Sequence, residues 1–96
     1  MPYVKAVQRD LVDDEVNQMI RDIADRPGLL AYAVTRLSLG FVAETSALDV
    51  DGPRGPNFED YAKAIGVLEA VKLELYRQRV APYEDIKKDE NGAVVA

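Results

Sequence analysis

The chain has 96 residues, 48% of them hydrophobic and 30% charged, with 12 Lys and Arg against 17 Asp and Glu for a net charge of −5. It has no Cys, no His and no Trp, which excludes disulfide frameworks, thiolate nucleophiles, Ser-His-Asp and Cys-His triads, and thiolate- or imidazole-ligated metals. The length suits a single domain over residues 1–96, and the acidic balance argues against a protein that binds nucleic acid by neutralising phosphates.

Residues 1–12 mix Val4, Val7, Leu11 and Val12 with Lys5 and Arg9 in weak periodicity. They read as an extended arm with a short strand. Met1-Pro2-Tyr3-Val4-Lys5 lacks the apolar run of a signal peptide, which points to the cytoplasm. The first helix follows from Asp13 to Asp25, with Asp13 as its cap and Asp14 and Glu15 on the positive end of its dipole. Val16, Met19, Ile20, Ile23 and Ala24 recur as one apolar stripe, and Asp22 and Arg26 stand at i,i+4. Pro27-Gly28 ends it, with Gly28 supplying the turn.

A second helix is predicted from about Leu29 to Glu44. Leu30, Ala33, Val34, Leu37 and Phe41 make one stripe, while Leu29, Tyr32, Leu39 and Val42 occupy other faces. A helix that is apolar on most sides needs protein on most sides. The window from Gly28 to Val42 carries only Arg36 as a charge, yet it is shorter than the roughly 20 residues of a bilayer span, so no membrane partner is expected. The stretch 45–56 then holds two Gly and two Pro in Gly52-Pro53-Arg54-Gly55-Pro56, which rules out regular structure. Residues 49–56 read as an inserted loop, tolerated at the surface because long loops close at small entropic cost.

The third helix is capped by Asn57 and runs to Val80, about 36 Å at 1.5 Å per residue, against about 20 Å for the first helix. Phe58, Tyr61, Ile65, Leu68, Val71 and Leu75 form its core stripe. Its length overhangs its partner. Together with the all-round apolar second helix, this predicts an all-α homodimer, a helical bundle of three main helices plus a short C-terminal one. Leu30, Tyr32, Val34, Leu37, Phe41, Ile65, Leu68 and Leu75 are the interface candidates. Pro82 breaks the third helix and opens the short one, Tyr83 to Glu90, which Asn91-Gly92 stops. The apolar end Ala93-Val94-Val95-Ala96 is a candidate for a short β pairing with the N-terminal arm.

Several polar residues near that break could carry chemistry. Glu69 shares a face with Ala62, Ile65, Leu73 and Tyr76, where a part-buried carboxylate could serve as a metal ligand or general base. The favoured reading is a boundary carboxylate paired with Lys72 or Arg36. Tyr76, Arg77, Tyr83, Glu84 and Asp85 gather at the end of the long helix. They suit either an anion or partner site, or cations on the negative end of the dipole with the Tyr rings packing the kink; the second is favoured. A nucleotide hydrolase would need carboxylates three or four apart on facing helices to hold Mg²⁺. Glu69 and Glu74 are five apart, and Asp22 and Asp25 are flanked by Arg21 and Arg26. No phosphate-binding loop exists, because Gly52 and Gly55 sit between prolines with no strand leading in. No cofactor, metal or catalytic set is assigned.

The stretch from Ile65-Gly66-Val67-Leu68-Glu69-Ala70 through Arg77, then Val80-Ala81-Pro82-Tyr83-Glu84-Asp85, resembles a family of short uncharacterised bacterial and phage-encoded proteins. Gly28-Leu29-Leu30-Ala31-Tyr32, Glu90-Asn91-Gly92-Ala93-Val94 and the opening Met1-Pro2-Tyr3-Val4-Lys5 match its other motifs. Ala31 stands where the family has Asn, Ala93 where it has Asp, and Gln78-Arg79 where it has Arg-Val. The resemblance implies no activity. It fits a non-enzymatic accessory protein with an unidentified protein partner, the alternatives being a small hydrolase with an intersubunit carboxylate–Mg²⁺ site and an acidic mimic of a ligand for a basic host surface.

Overall fold

In the computed structural model, residues 4–52 and 54–94 are described. Five α-helices occur among them: α1 (Ala6–Arg9), α2 (Asp13–Ile23), α3 (Pro27–Ala47), α4 (Phe58–Leu75) and α5 (Ala81–Asn91), with a π-helical segment at Tyr76–Val80 joining the last two. The chain divides into two units at Ala64, inside α4.

The first unit holds α1, α2, α3 and the start of α4. The arm expected at its N-terminus is a helical turn, not a strand. The Lys5 amide donates to Gln8 Oε1 at 3.3 Å, and Arg9 Nε donates to the Val4 carbonyl at 2.9 Å. Those local bonds satisfy backbone groups that a lone strand would leave unpaired. No strand occurs among the described residues. The remaining terminal residues of the expected β pairing lie outside them.

The turn between α2 and α3 is built differently from expectation. Gly28 lies inside α3, whose first residue is Pro27. Proline suits that position, since its missing N–H is one the helix would leave free anyway. Its ring pushes Arg26 out of the helical region, to φ −130°, ψ 80°. The reversal is completed one residue earlier, where Asp25 takes φ +59°, a left-handed conformation that Asp tolerates better than most residues. α2 therefore stops at Ile23, and the expected Asp22–Arg26 pair does not form. Gln18 Nε2 donates to Asp22 instead, at 3.1 Å.

Burial departs furthest from expectation. Among the described residues the buried ones are Val42, Ser46, Asp60 and Ala64, which flank the connection between α3 and α4. The stripe read as the core of the long helix is exposed, with Phe58 at 84% and Ile65 at 67%. Periodicity grouped these side chains on helices, but it does not report what, if anything, is set against them.

The second unit holds the rest of α4, the π segment and α5. Pro82 sits in the first turn of α5, as expected, yet the backbone stays helical through the junction. Proline cannot donate to the carbonyl four residues back and its ring presses on that group, so the preceding turn widens into a π-helix. α5 ends at Gly92, whose φ of +86° is open to glycine and whose N–H donates to the Lys88 carbonyl at 2.8 Å.

Candidate functional site

The residues singled out around the end of the long helix form a series of short-range pairs. Lys72 Nζ lies 3.2 Å from Glu69 Oε1, and the Glu69 side chain is 56% exposed. This is the Lys72 pairing expected for a boundary carboxylate, with the Glu69 side chain open in the single chain. Arg77 is held by Glu74, with Nε 3.2 Å from Oε2, and Gln78 Nε2 donates to the same carboxylate at 2.6 Å. These bonds occupy the first turn of the π segment. Tyr76 and Tyr83 are exposed. Lys87 stands 5.7 Å over the Tyr83 ring and 3.2 Å from Glu90. Glu84 and Asp85 line an open depression of about 580 Å³ with Lys87, Lys88, Asn91 and Val94.

Among the described residues, no three Asp or Glu side chains converge to hold a metal ion. The hydrolase reading places such a set between two subunits. The acidic-mimic reading required Asp13, Asp14, Glu15 and Asp22 on one open face. Successive helical residues are about 100° apart, so Asp13, Asp14 and Glu15 fan around α2 instead. No helix among the described residues is long and apolar enough to cross a membrane.

One polar cluster was not anticipated. The loop 49–56, read as an inserted surface stretch, is closed by Arg54. Its Nε donates to Asp49 Oδ2 at 2.6 Å, and its two terminal nitrogens reach Asp60 Oδ2 at 2.7 Å and Oδ1 at 3.3 Å. Asp60 is 1% exposed, and its position comes from the cap of α4. The Asp60 N–H donates to Asn57 Oδ1 at 3.1 Å, while the Asn57 N–H donates to Asp60 Oδ2 at 3.0 Å. That exchange is a capping box with Asp in place of Glu. A buried carboxylate needs partners, and Asp60 has the guanidinium fork and a backbone amide. Asp49 gains a second bond from the Asp51 N–H at 2.9 Å.

The electrostatics follow from these bonds. Arg54 first, and then the Asn57 amide, hold Asp60 below its ordinary value of 3.8. Arg54 and the Asp51 amide do the same for Asp49. The guanidinium is held more firmly in its charged form by Asp60 and then Asp49. Saturated with internal partners, the cluster is a structural clasp for the loop. The Asn57-x-x-Asp60 spacing was the signal that marked it; nothing in the periodicity indicated which cation would reach it.

An open apolar groove of about 420 Å³ runs between α2 and α3, lined by Ile20, Ile23, Ala24, Pro27 and Leu30. Asp25 and Arg26 complete its lining. All eight side chains expected at an interface, Leu30, Tyr32, Val34, Leu37, Phe41, Ile65, Leu68 and Leu75, are exposed. The features define a helical protein whose prominent chemistry is apolar surface. The chain belongs to the family described as Domain of unknown function (DUF6899), whose model matches residues 1–94. No curated protein and no solved structure matches it.

Proposed function

We propose that the protein is a cytoplasmic, non-enzymatic interaction protein that works as a homodimer, with α3 as a principal assembly surface. The observation that carries this is the state of α3. Leu29, Leu30, Tyr32, Val34, Leu37, Leu39 and Phe41 are each between 38% and 61% exposed, on a helix whose only charges are Arg36 and Glu44. The seven lie on more than one face of the helix and at about half exposure present on the order of 600 Å² in all, so an interface burying the roughly 800 Å² of a standard partner surface would draw on α4 as well.

Three hydroxyls of α3 add little hydrophilic relief. Thr35 Oγ1 donates to the Ala31 carbonyl at 2.8 Å, Ser38 Oγ to Val34 at 2.7 Å and Ser46 Oγ to Ala43 at 2.8 Å. Each is spent on the helix's own backbone. Exposed apolar surface of this extent marks an interaction site. On α4, Ile65, Leu68 and Leu75 add apolar surface of their own. The resemblance to bacterial and phage-encoded proteins supports an accessory role, with a further protein partner engaging the assembled dimer.

Light scattering coupled to size exclusion between about 1 and 100 μM tests this, a range that brackets ordinary dimer affinities. The expected mass is twice that of the 10.6 kDa chain. A chain-sized mass throughout would overturn the proposal.

A further inference from the structure

We infer that α3 pairs with α3 of a second copy in antiparallel fashion, crossing at Gly40, so that Arg36 of each chain meets the partner subunit's Glu44. This rests on the self-association proposed above and names its orientation and its contacts. The charge arrangement carries it. Arg36 and Glu44 are the only charged residues of α3. Each is four residues from Gly40 in opposite directions, about 6 Å along the axis and about 40° to either side of it.

A two-fold axis at Gly40 brings residue 40−k level with residue 40+k of the other chain. Arg36 then faces the partner subunit's Glu44, and the contact repeats by symmetry. Parallel pairing would set Arg against Arg and Glu against Glu, which is unfavourable. Neither residue has an ion-pair partner among the described residues. Arg36 donates to the Tyr32 hydroxyl at 2.9 Å and lies 5.8 Å from its ring, an interaction that leaves the cation without a counter-charge.

Gly40 supplies the independent observation. It lies mid-helix, where glycine costs about 1 kcal/mol relative to alanine. Nothing in the chain lies within 4 Å of where its Cβ would be, so internal packing does not require it. Ala33, Gly40 and Ala47 recur at seven-residue spacing on one face, with Leu37 and Ala43 beside them. Small residues along such a line let two helices approach to the lower end of the usual 8–10 Å separation, close enough for the flanking charges to span the gap.

Charge reversal on the full chain tests this, with dimer dissociation followed by analytical ultracentrifugation. Arg36→Glu and Glu44→Arg, each made alone, turn both attractive pairs repulsive and should weaken the homodimer by about tenfold or more. The double variant R36E/E44R should return to the wild-type affinity. Mixing the two single variants should produce heterodimers, because one chain then carries Glu at both positions and the other Arg. Gly40→Leu should raise the helix content of the monomer and weaken the dimer. If the wild type dimerises and the single reversals leave its affinity unchanged, or the double reversal fails to recover it, the α3 pairing is refuted while self-association stands. A wild type that is monomeric throughout would overturn both.

Discussion

The cap of α4 offers a direct test of how the loop is held. In Asn57→Ala the Asp60 N–H loses its acceptor, now 3.1 Å away, while the Asn57 N–H still reaches Asp60 Oδ2 at 3.0 Å. Removing an N-cap side chain costs about 1 kcal/mol, within a range of about 0.5–2. The upper half of that range is expected here, because the orphaned amide belongs to a residue that is 1% exposed and water cannot readily replace the lost acceptor. At roughly 4–8 °C per kcal/mol for a chain of this size, melting should fall by about 5–16 °C. Asn57→Ser keeps an oxygen at the cap and should stay within a few tenths of a kcal/mol of the parent. Thermal unfolding followed by circular dichroism at one protein concentration reads both. If Asn57→Ala lies within about 0.3 kcal/mol of the parent, or Asn57→Ser falls with it, the reciprocal cap is not what fixes the start of α4.

Other consequences are as open to measurement. Asp49 and Asp60 are held below 3.8 in the folded chain, so their contribution is complete above that value and is lost as the pH falls through the lower folded values. Urea midpoints taken from pH 7 to pH 2 should drop below about pH 4, and Arg54→Gln should flatten that drop; an unchanged slope would contradict the clasp. Asp25→Gly removes a side chain from a left-handed position, φ +59°, and should stabilise by about 0.5–1 kcal/mol in urea unfolding. Pro82→Ala restores an N–H that can donate to the Gln78 carbonyl, so the π segment at 76–80 should tighten to α-helix, with slower amide exchange there and greater ellipticity at 222 nm.

What could be read without a structure was whatever is decided within a few residues. Asn57 as a cap, Pro82 in the first turn of a new helix and Gly92 as a stop all depend on neighbours one turn away, and all three hold. Gly28 misled because the constraint at Pro27 acts backwards, on Arg26, and moved the reversal to Asp25. The arm at 1–12 misled because apolar spacing there says less than the bonds of Lys5 with Gln8 and of Arg9 with Val4. Phe58 and Ile65 show a deeper limit. Hydrophobic recurrence reports which side of a helix avoids water, and is silent on whether the same chain has anything to set against it. Arg54 is the converse case, a residue in a Gly- and Pro-rich stretch whose importance depends entirely on the path that carries it between Asp49 and Asp60. For the candidate cluster at the end of α4, the pairings of Glu69 with Lys72 and of the cations near the helix end were accessible from three- and four-residue spacing. That Glu84 and Asp85 share an open depression with Lys87 and Lys88 depended on geometry that spacing does not encode.

The clasp also bears on how the chain meets a protease. By composition, residues 49–56 are where a nick would be expected, and the Arg54–Gly55 bond has the basic residue that trypsin-like enzymes select. The same guanidinium that would fill a protease's specificity pocket is committed to Asp49 and Asp60. Cleavage there has to wait for local opening, so its rate reports how often the clasp lets go. Limited trypsin digestion read by mass spectrometry should therefore cut after Arg54 late in the parent chain and early in Asp60→Asn. The loop most exposed by its composition to being cut carries its own guard.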